Sequence, residues 1–301
     1  MHNNKQKKTV TIPNASSSKL GRNIILTTPG GSGSTFVCKA LNMLPNVVAL
    51  NEPLPLRVYK EEQTKDLCNI INDYFSNMRE SLKNTGTAVQ GHGRNNFSTT
   101  NFDKQTEPFD LVIKQPLTFT ALLGNPEIMP FNYEWFALIR NPLLTLCSWH
   151  NKGLQAGKEG RAETAELHDK DLKKILDDLQ NQNQAKDILR LTLLGWAYKK
   201  YITFLDKNHI IEYENFVDDP LDELAKIVPN AKNSQVYIPV KNGNLNIKHR
   251  PNSEIFSIRL LKDNEPYTRN IRTFYNKNSV KDALKNLRQL PTNFSIFDSI
   301  T

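Results

Sequence analysis

The sequence predicts an α/β fold with a central, mostly parallel β-sheet flanked by helices. Two observations carry that expectation. Short apolar runs alternate along the chain with longer segments of helical periodicity, the pattern that builds parallel sheets. The first run, Ile24-Ile25-Leu26-Thr27, enters the glycine-rich turn Pro29-Gly30-Gly31-Ser32-Gly33-Ser34-Thr35, which opens directly into a helix. The polar motifs of interest fall where such runs end, the edge at which open parallel sheets bind their ligands. At 301 residues and 38% hydrophobic content, the chain is long enough for one large core.

Residues 1–20 are polar and aperiodic and are expected to form a flexible arm, with residues 21–301 as a single domain. After the first strand, a helix opening at Thr35 places Phe36, Val37, Ala40, Leu41 and Leu44 near one face. Asn46–Leu50 reads as the second strand and ends at Asn51-Glu52-Pro53. Residues 63–83 carry Leu67, Ile70, Ile71, Tyr74, Phe75, Met78 and Leu82 at helical spacing. The stretch from Asn84 to Glu107 is polar and glycine-bearing, and is expected to be a loop insertion. Phe109–Ile113 reads as a third strand closing at Lys114-Gln115-Pro116. Tyr133–Ile139 reads as a buried strand; Asn141 then caps, and Pro142 opens, a helix running to His150. Residues 151–166 read as a mobile loop, followed by helices at 167–181 and 185–206, the latter carrying Leu189, Leu193, Trp196, Ala197, Ile202 and Leu205. His209–Glu212 is a short strand and Asp219–Ile227 a small helix. Residues 229–276 read as polar loops with a few short elements.

The composition narrows the function classes. No run approaches the roughly 18 apolar residues of a membrane span, and Met1–Lys8 lacks the apolar stretch of a secretory signal. Cys38, Cys68 and Cys147 are odd in number and outside metal spacing, which fits reduced thiols in a cytoplasmic protein. A formal charge of +8 and a pI near 9.2 suit an anionic ligand. Lys and Arg are spread along the chain without a zinc-finger, helix-turn-helix or RNA-recognition pattern, so no nucleic-acid partner is expected. The six histidines show no H-x-x-x-H or Cys/His ligand spacing, and no metal is expected.

A strand, a tight glycine turn and a helix N-terminus make an anion site. Backbone N–H groups of the first helical turn point outward, the helix dipole presents its positive end, and glycines permit close approach and positive φ. A second site is expected at Arg140, at a strand exit, with Ser148 two helical turns later. A guanidinium offers a planar fork matched to phosphate, and a serine hydroxyl adds a donor. Two separate phosphate sites suit a nucleotide with phosphates at two places.

Taken together, these segments resemble the PAPS-dependent sulfotransferase family, in motif style closest to the Golgi carbohydrate and tyrosylprotein sulfotransferases. Pro29–Thr35 is similar to its 5′-phosphosulfate loop. Leu138-Ile139-Arg140-Asn141-Pro142 with Ser148 is similar to its 3′-phosphate motif, with the same interval of eight residues from Arg to Ser. Ile211-Glu212-Tyr213-Glu214-Asn215-Phe216, followed by Asp219-Pro220, resembles its R-Y-E-D-L … D-P segment, read as structural. The resemblance implies a P-loop nucleotide-kinase-like sulfotransferase fold. It implies PAPS (3′-phosphoadenosine-5′-phosphosulfate) as sulfuryl donor, adenosine 3′,5′-bisphosphate as product and a hydroxyl-bearing acceptor. Under it, Gly30, Gly31, Ser32, Gly33, Ser34 and Thr35 form the loop that holds the 5′-phosphate, through the Gly31–Thr35 amides and the Ser34 and Thr35 hydroxyls. Arg140 and Ser148 hold the 3′-phosphate.

The chain departs from the family at Gly31, where a Lys or Arg usually precedes Ser-Gly-[ST]-[ST] and stabilises the departing phosphate. Lys114, 26 residues before Arg140, is the leading substitute. It resembles the lysine that follows a strand in cytosolic sulfotransferases, but the base histidine two residues on in those enzymes is here Pro116. The expected base is Glu52, 20 residues after Ser32 at the end of the second strand. It is similar to the glutamate base of tyrosylprotein sulfotransferases and the Glu-Pro of Golgi carbohydrate sulfotransferases, and partial burial would raise its pKa toward that use. His92, in Gly91-His92-Gly93-Arg94, is a second base candidate. Lys248-His249-Arg250 is compared with the family's C-terminal loop over the 3′-phosphate, whose pattern it does not match. Two other readings stay open: a P-loop nucleotide kinase or NTPase, although the lysine of G-x-x-x-x-G-K-[ST] is missing, and a non-catalytic nucleotide-binding relative. The acceptor, shaped by residues 54–108 and 151–185, stays open among carbohydrate, phenol, lipid and peptide hydroxyls, with Glu52 tilting it toward a glycan or another hydroxylated metabolite.

Overall fold

The computed structural model describes residues 21–54, 64–91, 97–103, 105, 108–125, 133–142, 144, 145, 148, 169–181 and 186–234. The expected N-terminal arm, His92, Cys147, the 151–166 loop and Lys248-His249-Arg250 lie outside these residues. The strands are β1 Asn23–Thr27, β2 Val47–Asn51, β3 Thr87–Gly91, β4 Phe97–Asn101, β5 Asp110–Gln115, β6 Tyr133–Ile139 and β7 Ile210–Glu212. The helices are α1 Ser34–Leu41, α2 Thr64–Asn84, α3 Leu117–Leu122, α4 Lys170–Asn181, α5 Lys186–Phe204, α6 Tyr213–Asp218 and α7 Pro220–Leu224. Five strands form one parallel sheet in the order β2-β5-β1-β6-β7, flanked by helices. This is the fold class the sequence predicts. Among the described residues no helix is long and apolar enough to cross a membrane.

The central strands are apolar on both faces because helices cover both faces. Ile25, Leu111, Ile113, Trp135 and Ile139 enter one core with Phe75 of α2, Phe119 of α3 and Tyr201 of α5. Their neighbours Ile24, Leu26, Val112, Phe136 and Leu138 enter the other, with Val37 of α1 and Phe216 of α6. β1 leads through α1 to β2 at one side of the sheet, whereas β6 leads through α4 and α5 to β7 at the other. The connections diverge between β1 and β6, so the carboxyl ends of these two strands border a switch-point crevice, where open α/β sheets bind ligands.

Three departures from the sequence expectation have physical causes. Residues 84–107 are not simply a loop insertion: they contain the antiparallel hairpin β3–β4, with Gly91 opposite Phe97 and Thr87 opposite Asn101. Ala88 packs into the core, but Val89, Phe97, Ser98 and Thr99 are exposed, so the outer face reads as polar loop. Helix α3, for which the sequence predicts no element, has all six residues buried and is too short to display a helical period. Finally, β5 continues past Ile113 to Gln115 and takes Lys114 into the strand. A lysine is tolerated there because a carboxylate meets it, as described below. The expected cap at Asn141 is present, and Asp219 caps α7. Asn141 Oδ1 accepts from the Leu144 N–H at 3.3 Å, and Asp219 Oδ1 accepts from the Asp222 N–H at 3.1 Å.

Candidate active site

The glycine turn leaves β1 and enters α1 with Gly33 as cap residue. Gly31 and Gly33 both take positive φ, 80° and 87°, conformations that cost a side-chain-bearing residue free energy. The Gly33 carbonyl accepts from the Phe36 N–H at 2.9 Å and starts the helix. The Ser34 and Thr35 amides come before that first ladder bond, and no acidic residue sits in the first turn to offset their positive potential. Ser32 is fully buried, Ser34 is buried and Thr35 is exposed. Ser32 Oγ has no hydrogen-bond partner.

The two segments expected to make separate anion sites meet. Arg140 leaves β6 beside β1, and its Nη1 donates to the Gly31 carbonyl at 3.0 Å. The guanidinium carbon stands 4.7 Å from the centre of the Tyr213 ring, a cation–π contact. That ring occupies the space a side chain at Gly33 would need: a Cβ there would lie 2.0 Å from Tyr213 Cε2. Arg140 is 9% exposed, and its Nε is buried without a partner. Its backbone is held by one phenol, since the Arg140 N–H donates to Tyr198 Oη at 3.0 Å and Tyr198 donates to the Arg140 carbonyl at 2.5 Å. Beside it, Glu214 Oε1 accepts from the Asn141 N–H at 3.0 Å. Burial pushes the Glu214 carboxyl above its ordinary range, against the pull of that hydrogen bond and the Arg140 charge. Ser148 is also buried, in helical backbone.

Glu52 and Lys114, the two residues expected to act on the transferred group, are partners of each other. Lys114 Nζ donates to Glu52 Oε1 at 2.6 Å, with side chains 3% and 14% exposed. Lys114 lies opposite Leu26 in β1 and Asn51 in β2, so the pair sits at the carboxyl edge beside the glycine turn. Glu52 itself has φ 48°, a left-handed conformation unusual for a glutamate. The hairpin closes over it: Asn51 Nδ2 donates to the Gly91 carbonyl at 3.0 Å, and a Cβ on Gly91 would lie 2.4 Å from the Glu52 carbonyl oxygen. Cys38 of α1 feels both charges, but burial pushes its thiol up to about 12, far from a nucleophile's range.

Tyr213 and Tyr198 are the site residues that sequence reasoning missed. Tyr213 stands in the segment read as structural, and its signal is its place directly after β7. Tyr198 looks like any core aromatic of α5.

No protein-family model matches the chain, and no curated protein matches it. Among solved structures, a sulfotransferase from Alicyclobacillus acidocaldarius is similar over 84% of this chain and 94% of its own, at 12% identity and a TM-score of 0.40. The sulfotransferase domain of the Synechococcus PCC 7002 olefin synthase is similar over 70% of this chain and 72% of its own, at 15% identity and a TM-score of 0.39. Likeness of that degree assigns no activity, and what the site can do rests on its own residues.

Proposed function

We propose that this chain is a sulfotransferase that moves a sulfuryl group from PAPS to a hydroxyl acceptor. The observation that carries the reading is the meeting of Arg140 with the glycine turn, with Ser32 Oγ and Arg140 Nε buried and unpartnered there. Buried polar groups left without partners are costly, and an anionic ligand at this crevice would complete them. The residues present therefore fit a phosphate-bearing donor. The amides of Gly31 to Thr35 and the Ser34 and Thr35 hydroxyls hold its 5′-phosphate, and Arg140 with Ser148 holds its 3′-phosphate.

PAPS supplies the sulfuryl group: the acceptor oxygen–sulfur bond forms as the bond from sulfur to the 5′-phosphate oxygen breaks, and that bond's electrons stay on the phosphate. Glu52 takes the acceptor's hydroxyl proton. Lys114 holds the Glu52 carboxylate in one orientation, which is the alignment that in-line displacement requires. Lys114 is also the cation nearest in register to the end of β1, where the departing phosphate is held.

Calorimetry and a transfer assay test the reading. Affinity for adenosine 3′,5′-bisphosphate on the order of micromolar without magnesium supports it. So does transfer of labelled sulfate from PAPS that Glu52→Gln abolishes while bisphosphate binding survives. Tight binding of magnesium-ATP with none of the bisphosphate would sink it in favour of a nucleotide kinase or NTPase.

A further inference from the structure

The glycine turn carries no cation of its own. Between Arg22 and Lys39 the chain has no Lys or Arg, and Lys39 falls in the last turn of α1. Yet a guanidinium lies against the turn. Arg140 donates through Nη1 to the carbonyl of Gly31, the very position at which a basic side chain is missing, and stacks on the Tyr213 ring that packs against Gly33. Two contacts thus fix it relative to residues 31 and 33 of the turn. Arg140 is nine-tenths buried, and among the described residues no carboxylate forms an ion pair with its guanidinium. The neighbouring Glu214 carboxylate spends Oε1 on the Asn141 N–H. A neutral carbonyl, an aromatic face and the attraction of Glu214, which forms no ion pair with it, are poor compensation for a buried charge, and Nε has no hydrogen-bond partner. Ser32 Oγ, fully buried in the same turn, is likewise unpartnered. These two atoms and the charge without an ion-pair partner point to one anion lying on the turn.

We propose that Arg140 is the cation of the glycine turn: it faces the 5′-phosphate of the ligand and supplies there the positive charge that Gly31 lacks. This rests on the donor reading above and changes it in one respect. A guanidinium assigned to the 3′-phosphate alone would leave the 5′-phosphate with backbone amides, hydroxyls and Lys114, whose ammonium Glu52 already holds. Placed against Gly31, it serves the phosphate at which charge develops.

The test compares the full chain with its Arg140→Gln and Arg140→Lys variants by calorimetry, using adenosine 5′-monophosphate, adenosine 3′,5′-bisphosphate and inorganic phosphate. Arg140→Gln should weaken binding of the 5′-monophosphate and of the bisphosphate by roughly tenfold or more each, the loss expected from one charge-assisted hydrogen bond. Arg140→Lys, which keeps the charge without the fork, should fall between the two. A 5′-monophosphate affinity unchanged in Arg140→Gln, with the loss confined to the bisphosphate, overturns the proposal. So does a wild-type chain that binds neither the 5′-monophosphate nor inorganic phosphate. If Arg140→Gln does not fold, Arg140→Lys decides alone: weaker 5′-monophosphate binding supports the proposal and unchanged binding overturns it. Phosphate binding that depends on Arg140, in a chain that ignores the bisphosphate, would keep this inference and remove PAPS as the donor.

Discussion

Glu52 and Lys114 hold each other twice. The Glu52 N–H donates to the Lys114 carbonyl at 2.8 Å, and Lys114 Nζ donates to Glu52 Oε1 at 2.6 Å. The first bond continues the β2–β5 ladder by one residue past Asn51, which lies opposite Lys114. The second needs Glu52 to turn back over its neighbour, and its positive φ is part of that turn. An ammonium placed within a buried strand is stable only with such a partner.

Replacing Glu52 by Gln sets the buried ammonium against a neutral amide. Because the carboxylate is 14% exposed, the stability loss should be about 1–3 kcal/mol, below that of a fully buried pair. If Glu52 is the base of the proposed reaction, sulfuryl transfer should fall at least about a hundredfold. The double variant Glu52→Gln, Lys114→Met should regain part of the stability and none of the activity. Denaturation midpoints of the two single variants and the double check this, and strictly additive losses would remove the ion pair as a source of stability.

Gly33 binds the turn to Tyr213. An alanine there faces both a φ of 87° and a Cβ only 2.0 Å from the tyrosine ring, so Gly33→Ala should cost about 2–3 kcal/mol. Displacing Tyr213 also removes the surface on which Arg140 rests, and affinity for adenosine 5′-monophosphate should drop with it. Adding Tyr213→Ala should recover some stability by relieving the clash, but no affinity. Thermal melts and calorimetry measure the two effects, and an alanine variant with wild-type affinity would break the connection from Gly33 to Arg140.

The parallel sheet was legible because strands buried on both faces are continuous apolar runs. Tyr133–Ile139 has the bounds its sequence predicts. The hairpin β3–β4 and helix α3 were not legible, since five or six residues with one polar face, or with none, show no period. At the site, the glycine turn and Arg140 were recognisable from residue type and position. Their contact was not, because it joins residues 109 apart and depends on β1 and β6 being neighbours. The pairing of Glu52 with Lys114 depends in the same way on β2 lying beside β5, which alternation of elements does not specify.

The Glu214 carboxyl should make stability depend on pH. Burial raises its native pKa above the ordinary 4.5, so the native state holds a proton that the unfolded state releases in the window between the two values. The favourable contribution is complete below the unfolded value and is lost as pH rises through the native one. Glu214→Gln has no such titration. The variant should therefore gain stability relative to the wild type as pH rises through that window, read from denaturant midpoints between about pH 4 and pH 7. A difference independent of pH would mean that Glu214 titrates alike in both states.

Tyr198 offers a way to separate placement of Arg140 from general stability. β6 ends at Ile139, so the next backbone N–H and C=O would be buried beyond the ladder, and the Tyr198 hydroxyl satisfies both. Tyr198→Phe should cost about 2–3 kcal/mol for the two orphaned groups. It should also weaken adenosine 5′-monophosphate binding severalfold, because the strand exit that aims Arg140 loses its tether. The control lies at the opposite edge of the sheet, where Asp110 accepts from the Arg22 backbone N–H at 3.0 Å and from Arg22 Nε at 3.1 Å. Asp110→Asn should lower the denaturation midpoint comparably and leave the affinity unchanged. If both variants bind equally well once folded, the Tyr198 hydroxyl supports the fold without positioning the guanidinium. If only Tyr198→Phe binds weakly, the tether from Tyr198 to Arg140 is part of the binding site.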